Sequence, residues 1–325
     1  MKFILAPMAT LSHEAFRRCV AHFGGCDEYF NEMINAPSLL HQGPFEKFYI
    51  RSGPEPQKMV WQLTGTTAGP MAEASKILLD LGGIGIDINM GCSAPQIANT
   101  GAGISWMLKP VEETANLVRS VKSQIENYAK DGSKPQRLSV KLRLGDEDFT
   151  EEGFFKFTDM LVEEGVEMLT LHPRTKKEKT CRPCRWQYVE KLALHYPHIP
   201  VILNGGVKDR STLQAALKAS PHAAGVMIAR ALAQKPWIFK ELSSEEPFSF
   251  DAEEVALKFI DDVEECQPPE FWKTRLQRFF AYYCLNFSFG HFFWTMMQNA
   301  KDNDDARKCV RAYFEKCPDD RIIFR

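Results

Sequence analysis

The sequence predicts an α/β protein, a TIM (β/α)8 barrel followed by a small all-helical C-terminal domain, and three observations support this fold class. Eight short β-type runs recur between the N-terminus and about residue 230. Segments with helical periodicity lie between most of them, and several runs are continuously apolar, as in parallel strands covered by helices. Later in the chain, strand-like runs give way to helical spacing. We therefore place the barrel at residues 1–244 and the helical domain at residues 245–325.

The eight runs read, in order, FILAPM, YFNEM, MVWQLTG, IDINMG, LSVKLRLG, MLTLHPR, IPVILNGG and GVMIAR. Helical segments, such as the one that starts after Pro110 and the one that ends at Gly165, separate most pairs of runs. A doubly wound sheet is the alternative arrangement. The barrel is favoured because no GxGxxG motif follows an early strand, and because function-type residues end nearly every run.

The C-terminal part of the chain follows the connector SSEEPFSFD and is predicted to be helical. Two helical faces are apolar, one with Val255, Phe259 and Val263 and the other with Ala306, Val310, Tyr313 and Cys317. Between them lies the aromatic stretch FFAYYCLNFSFGHFFW, which we interpret mainly as the buried core of this domain.

Composition is that of a globular protein, with 44% hydrophobic and 25% charged residues in a chain of 325. No window approaches the roughly 18 uninterrupted apolar residues of a membrane helix, and the first apolar run is too short for a signal peptide. Nine cysteines, an odd number, are typical of reduced thiols. We therefore expect a cytoplasmic protein, and a monomer. The formal net charge of -2 gives no global argument for nucleic-acid binding, so such a function depends on local features.

Polar or reactive residues end nearly all the β-type runs. In a barrel these ends converge on one rim, where catalytic residues lie. The residues are Met8, Glu32, Gln62, Asn89 with Cys92, Lys141 with Arg143, His172 with Arg174, Asn204, and Arg230. Packing can explain one polar residue at the end of a strand, but it explains less well why so many of them meet at one rim. The set as a whole therefore predicts an active site.

The last two units predict a phosphate site. Gly205 and Gly206 follow the seventh run, and Ala229 and Arg230 follow the eighth. Glycines there let backbone N–H groups approach an anion, although tight turns alone also explain the pair. Lys141 and Gln62 suit a flavin, because a cation near the pyrimidine edge stabilises the reduced ring and an amide can bind the same edge.

Cys92 stands in the loop after IDINMG, at the predicted rim. A cysteine taken at random is more often buried and inert. At this position we interpret it as an acid catalyst, because a thiol with a pKa near 8.5 is mostly protonated at neutral pH and can still release its proton.

Two further features lie after the sixth run. Cys181 and Cys184 form a lone CxxC pair, for which neither a second CxxC nor a His pair supplies the remaining ligands, so we predict no metal site.

A basic cluster beside Arg174 is compatible with either a solvated loop or a phosphate-binding rim. Its members are Lys176, Lys177, Lys179, Arg182 and Arg185.

Taken in order, these motifs resemble those of the tRNA-dihydrouridine synthase family over nearly the whole chain. They are APM near the start, NEM at 31–33, QL at Gln62, DINMGC ending at Cys92, GAG at 101–103, VKLRLG at 140–145, LHPRT at 171–175, NGG at 204–206, and IAR with PWIF. Ser93 stands where the family usually has a proline after the cysteine.

The resemblance implies an FMN at the barrel mouth, reduced by NADPH, that reduces a uracil base in tRNA to 5,6-dihydrouracil. A hydride passes from flavin N5 to C6 of the base, and Cys92 protonates C5. Implied FMN contacts are Ala6, Pro7, Met8, Gln62, Lys141, His172, Asn204, Gly205, Gly206, Ala229 and Arg230. Implied substrate contacts are Glu32, Asn89, Arg143 and Arg174, with Asn89 on the uracil and Arg174 toward the RNA.

Two other functions are compatible with the sequence. One is an FMN barrel that acts on a small pyrimidine such as dihydroorotate, although such an enzyme would not need the helical tail. The other is an RNA-binding flavoprotein without turnover, a possibility raised by Ser93 and by the unusual segment KKEKTCRPCRW after LHPRT.

Overall fold

The computed structural model describes residues 1–130, 132, 134–146, 148–178 and 182–325. Its centre is a closed barrel of eight parallel strands, in which β2 pairs with both β1 and β4 and thereby closes the ring. The sheet has nine strands, of which all except β3 form the barrel: β1 (Lys2–Leu5), β2 (Glu28–Phe30), β3 (Ile34–Asn35), β4 (Met59–Thr64), β5 (Gly85–Met90), β6 (Arg137–Arg143), β7 (Met168–His172), β8 (Val201–Asn204) and β9 (Gly225–Ile228). The short β3 extends the pairing at the end of β4. Each of the eight predicted runs overlaps one barrel strand, so the predicted barrel is confirmed.

Helices connect the strands and cover the outside of the barrel. They are α1 (Glu14–Phe23), α2 (Ala36–Leu40), α3 (Glu46–Tyr49), α4 (Ala68–Asp80), α5 (Pro95–Ala98), α6 (Val111–Lys130), α7 (Glu151–Glu163), α8 (Gln187–His195), α9 (Arg210–Ala219), α10 (Arg230–Gln234) and α11 (Ile238–Ser243). Local sequence fixes several of their starts. Thr150 caps α7 through the N–H of Gly153, and Asp209 forms a capping box with Thr212 at the start of α9.

The barrel strands are buried on both faces, as their apolar runs predict. Every residue of β4 and of β5 is buried. One apolar cluster fills the inside of the barrel and a larger one lies between strands and helices. The inner cluster consists of Ile4, Ala6, Phe30, Val60, Met168, Ile202 and Met227.

The C-terminal part is helical, as predicted, with helices α12 (Ala252–Cys266), α13 (Pro269–Tyr283), α14 (Gly290–Asn299) and α15 (Asn303–Lys316). It also contains a short antiparallel sheet of β10 (Ser249–Asp251) and β11 (Ile322–Phe324), which ties the end of the chain to the connector. Helix α12 packs on α1, and Arg18 pairs with Asp262 at 3.2 Å across that contact. The predicted boundary near residue 244 falls between α11 and β10.

The aromatic stretch of the tail is buried for the most part. Phe279 stacks on Phe259 with ring centroids 3.7 Å apart, and Phe293 stacks on Tyr313 at 4.3 Å. Phe289, in contrast, is 64% exposed. The predicted aromatic core therefore forms, although part of the stretch faces solvent. Across the described ranges, none of the helices combines the length and the apolar character needed to cross a membrane.

Candidate active site

The residues predicted for the site lie at the carboxyl end of the barrel, which we call the barrel mouth. Ala6, Pro7 and Met8 follow β1, Glu32 follows β2, Gln62 lies in β4, Asn89 lies in β5 and Cys92 follows it, Lys141 and Arg143 lie in β6, His172 ends β7 with Arg174 after it, Asn204 ends β8 with Gly205 and Gly206 after it, and Ala229 and Arg230 follow β9. Because the strands are parallel, these ends meet at one rim. The structure therefore brings together the strand ends that the sequence singled out.

The inside of the barrel changes from apolar to polar toward the mouth. On β4, Val60 belongs to the inner apolar cluster and Gln62, two residues further on, points to the same side of the sheet. On β8 the same relationship holds between Ile202 and Asn204. The apolar layer thus forms the floor of a polar site.

Buried side chains below the mouth form a continuous chain of hydrogen bonds. Ser139 Oγ donates to Asp87 Oδ1 at 2.7 Å, and Gln62 Nε2 donates to Asp87 Oδ2 at 2.7 Å. Asn89 Nδ2 donates to Gln62 Oε1 at 2.8 Å. Asn31 Oδ1 accepts from the backbone N–H of Gln62 at 2.7 Å. Asp87, Ser139 and Asn31 were not identified from the sequence, although an aspartate inside the apolar run IDINM is an unusual feature.

Cys92 is a partly buried residue whose backbone is held by hydrogen bonds. Its N–H donates to Asn89 Oδ1 at 3.0 Å, and its carbonyl accepts from the N–H of Ile104 at 3.0 Å. Gly103 has φ +60, and a Cβ there would lie 2.6 Å from the Cys92 carbonyl oxygen. The GAG segment at 101–103 therefore packs closely against the loop that carries Cys92, and this contact holds the loop in place.

The charge on Asp87 is disfavoured by its surroundings. Burial raises the pKa of its carboxyl to about 6, although the hydrogen bonds from Gln62 and Ser139 and the charge of Lys141 oppose the shift. At neutral pH the group is mostly ionised and accepts hydrogen bonds.

Lys141 lies directly opposite Asn89 in the β5–β6 pairing. Burial, followed by the nearby charge of Arg143, lowers the pKa of its ammonium to about 8. Its ammonium makes no hydrogen bond or ion pair with any residue that the structure describes. A partly buried cation of this kind is suited to bind an acceptor or an anion at the mouth.

His172 is a neutral imidazole. Burial first, then the charges of Lys141, Arg143, Arg174 and Arg230, lowers its pKa to about 2. Its Nε2 lies 2.8 Å from Nη1 of Arg174. Because a guanidinium can only donate, Nε2 is the acceptor and the ring proton is on Nδ1. His172 can therefore offer one N–H donor to a ligand.

The two arginines predicted to contact the substrate are buried and bind backbone carbonyls. Arg143 Nε donates to the carbonyl of Gly91 at 2.9 Å, next to Cys92. Arg174 Nε donates to the carbonyl of Arg182 at 2.6 Å. Both side chains thus fix loops of the mouth, and a contact between either of them and RNA stays a prediction.

Gly205 and Gly206 have positive φ values of +101 and +87 and lie in close contact with protein side chains. A Cβ on Gly205 would lie 2.7 Å from the His172 ring, and one on Gly206 would lie 2.7 Å from the Trp186 ring. Trp186 Nε1 donates to the carbonyl of Gly205 at 3.0 Å. Glycine is therefore required here by the fold itself, in addition to any role in binding phosphate.

Two other predicted cofactor residues lie beside this turn. Asn204 Nδ2 donates to the carbonyl of Met227 at 2.8 Å and so links β8 to β9. Arg230 is exposed at the first position of α10, after Ala229. Exposure leaves its guanidinium accessible to a phosphate group.

Glu32 is in contact with the C-terminal part of the chain. Arg275 Nη1 donates to its Oε1 at 2.6 Å, and both side chains are buried. Burial raises the pKa of Glu32, against the charge of Arg275. A direct substrate contact by Glu32 stays a prediction, since this carboxylate already has a protein partner.

Two members of the basic cluster are paired with acidic groups. Lys176 pairs with Asp146 at 3.1 Å, and Arg185 pairs with Glu178 at 2.9 Å. Lys179 and Cys181 lie outside the described residues. Within the described ranges, His, Cys, Asp and Glu side chains form no group of three that could hold a metal ion.

The family model described as "Dihydrouridine synthase (Dus)" matches residues 4–317. A protein of Aquifex aeolicus named probable tRNA-dihydrouridine synthase is 31% identical over 241 residues, which cover 73% of this chain and 71% of that protein. One of Rhodobacter capsulatus with the same name is 30% identical over 247 residues, covering 74% and 70%. Probable tRNA-dihydrouridine synthase 2 of Bacillus subtilis is 28% identical over 330 residues, covering 97% and 94%.

The match extends through the barrel and over almost all of the helical tail. The family and the enzyme class that those motifs predict are confirmed. This chain belongs to the dihydrouridine synthase family of oxidoreductases.

Proposed function

We propose that this protein reduces uridine in tRNA to 5,6-dihydrouridine, with FMN as its cofactor and NADPH as the reductant. The names of its relatives support the substrate. The main structural support for the proposed reaction is that Cys92 and Lys141 lie close together at the barrel mouth. Both residues are partly buried, and they lie there at the ends of adjacent strands.

The residues at the mouth fit a flavin. Lys141 has an ammonium without a partner in the described part of the chain, and a cation stabilises the negative charge of a reduced flavin ring. Gln62 is fully buried and uses one N–H and one lone pair within the protein, so its part in binding the ring edge depends on its remaining N–H and lone pair. His172 offers its Nδ1–H.

The phosphate of FMN would lie at the turns after β8 and β9, where barrels commonly bind phosphate. Arg230 provides the charge, and the backbone of Gly205, Gly206 and Ala229 allows close approach. Ala6, Pro7 and Met8, after β1, would line the neighbouring part of the mouth. Asn204 would hold the β8–β9 junction in place for this contact.

When bound, FMN would supply the hydride that is added to C6 of the uracil ring, and Cys92 would give its thiol proton to C5. Asn89 positions the base, and Arg143 fixes the loop that carries Cys92 through the carbonyl of Gly91. General acid catalysis of this kind typically contributes about 10²–10⁴-fold to the rate.

The target uridine must leave the RNA stack to reach this site, at a cost of a few kcal/mol. We propose that the helical part, from about residue 245, contributes to holding the tRNA while the base enters the mouth. In this proposal the enzyme acts as a monomer in the cytoplasm.

Deletion of the gene tests the substrate. Mass spectrometry of tRNA should show the loss of dihydrouridine at specific positions, and expression of the intact protein should restore it. Retention of every dihydrouridine in the deletion strain, together with purification of a flavin-free protein, would overturn the proposal. Faster oxidation of the reduced flavin by free pyrimidines than by tRNA would instead favour a small-molecule substrate.

A further inference from the structure

The hydrogen-bonded chain below the mouth begins at a carboxylate to which the proposed reaction assigns no role. Asp87 is fully buried and accepts two hydrogen bonds, one from Ser139 and one from Gln62. The chain continues through Asn89 to the backbone of Cys92. An ionised carboxylate is thus connected to the catalytic loop by two amide side chains.

The groups at the two ends of this hydrogen-bonded chain determine its direction, that is, which group donates and which accepts in each hydrogen bond. A carboxylate only accepts, so the NH₂ of Gln62 must face Asp87 and its Oε1 must face Asn89. The NH₂ of Asn89 then faces Gln62, and Asn89 Oδ1 faces the loop. At the other end, backbone N–H groups only donate, and those of Gly91 and Cys92 lie 3.3 Å and 3.0 Å from that oxygen. Both ends require the same direction.

This direction determines what Asn89 can offer to a substrate. Its Oδ1 has two lone pairs, and the N–H groups of Gly91 and Cys92 occupy both. One of its two Nδ2 hydrogens is used on Gln62. Asn89 is therefore left with a single N–H, which suits a ring carbonyl oxygen, such as those of uracil, and not an amino group.

We propose that Asp87 is a positioning residue for the reaction: it sets the direction of the Gln62 and Asn89 amides, and thereby anchors the Cys92 loop and makes Asn89 a hydrogen-bond donor at the substrate site. This inference rests on the proposed function for its substrate. The anchoring of Cys92 is independent of it and can be measured without substrate.

Two substitutions distinguish the effect of the direction of these hydrogen bonds from the effect of their presence. In Asp87→Asn the new amide can keep the direction if its NH₂ donates to Ser139 Oγ, because a hydroxyl also accepts. Adding Ser139→Ala removes that acceptor, so the NH₂ of the new amide is satisfied only by Gln62 Oε1, and the two ends of the chain then require opposite directions. In the reversed direction Asn89 Nδ2 faces the N–H groups of Gly91 and Cys92 and cannot accept from them, so the anchor of the loop is weakened. Ser139→Ala alone keeps the acidic side chain at position 87 and measures the effect of losing the hydroxyl by itself.

The experiment is hydrogen exchange of the Gly91 and Cys92 amides, combined with steady-state kinetics on tRNA. In the Asp87→Asn/Ser139→Ala double variant, exchange of both amides should be about tenfold faster, which corresponds to the loss of about one hydrogen bond. The kcat should fall at least tenfold, while KM for tRNA changes less than twofold. Ser139→Ala should lie nearer to the wild type than the double variant does in all three quantities.

Wild-type exchange and wild-type kcat in the double variant would overturn the inference. If the double variant does not fold, Asp87→Ala decides the matter, because it leaves Gln62 Nε2 without its acceptor. Its exchange should be faster than that of Ser139→Ala, and equal rates would contradict the role of the carboxylate. Failure of the wild-type protein to reduce uridine would reject the proposed function, whereas the exchange measurement would still test the anchor.

Discussion

Arg275 of α13 donates a hydrogen bond of 2.6 Å to the carboxylate of Glu32 at the end of β2, and both side chains are buried. The same carboxylate oxygen accepts from the backbone N–H of Thr10, in the loop after β1. Thr10 has φ +63, an unfavourable conformation for a residue other than glycine. A helix of the C-terminal part thus braces a loop to which we assign cofactor contacts.

Removal of one partner of this pair should destabilise the protein strongly. Arg275→Met leaves the Glu32 carboxylate buried without its counter-charge, and we expect a loss of about 3–5 kcal/mol in the free energy of unfolding. Chemical denaturation measures this loss. Arg278→Met, at an exposed position of the same helix, is the matched control and should stay within about 0.5 kcal/mol of the wild type. Equal effects of the two substitutions would show that the pair carries no special stability.

Lys141 should give the flavin-free protein a distinctive pH dependence. Its pKa is lowered to about 8 in the folded state, against roughly 10.4 when unfolded. Between these values the unfolded chain binds more protons, so this group's contribution to stability rises with pH. Lys141→Met should therefore be about 1–3 kcal/mol more stable than the wild type at pH 7. The difference in the free energy of unfolding between Lys141→Met and the wild type should shrink as the pH rises from about 8 to 10.

The same substitution, Lys141→Met, should weaken the binding of FMN. Loss of a hydrogen bond to a charged group costs about 1.5–3 kcal/mol, or roughly 10- to 150-fold in Kd. Fluorescence titration of FMN measures the change. Lys156→Met, at an exposed site on α7, should alter neither Kd nor the pH profile. An unchanged Kd in Lys141→Met would remove Lys141 from the cofactor site.

The contact between Gly206 and Trp186 should be sensitive to a single methyl group. Gly206→Ala combines a φ of +87 with a Cβ placed 2.7 Å from the indole ring. Gly82→Ala has a similar φ of +74 but meets nothing within 4 Å, so it reports the backbone strain alone. We expect Gly206→Ala to lower the free energy of unfolding by about 1–3 kcal/mol more than Gly82→Ala. Equal losses would indicate that the Trp186 side chain moves aside without cost.

Much of the fold was predictable because local signals and tertiary packing agree. The eight apolar runs became the barrel strands, since continuous apolar sequence suits strands covered on both faces. Cys92 and Lys141 were predictable as residues of the mouth, because position along a parallel strand determines which end of the barrel a residue occupies.

Other features depended on contacts between distant parts of the chain. The partner of Glu32 comes from α13, and neither sequence segment indicates the other. The direction of the Asp87 chain depends on the register of β4, β5 and β6, which aligns Gln62 with Asp87 and Asp87 with Ser139. The close fit of Trp186 against Gly206 likewise requires the folded loop after β7. Sequence motifs mark such residues individually but do not show their pairing.

The central claim is that Cys92 supplies a proton to the uracil ring, and one measurement tests it most directly. Protein carrying FMN is reduced with NADPH and mixed with tRNA that lacks dihydrouridine, and reoxidation of the flavin is followed in a single turnover. Cys92→Ala should bind FMN and be reduced as the wild type is, but its reoxidation by tRNA should be at least about 100-fold slower. Reoxidation of Cys92→Ala at the wild-type rate, with formation of dihydrouridine, would contradict the account.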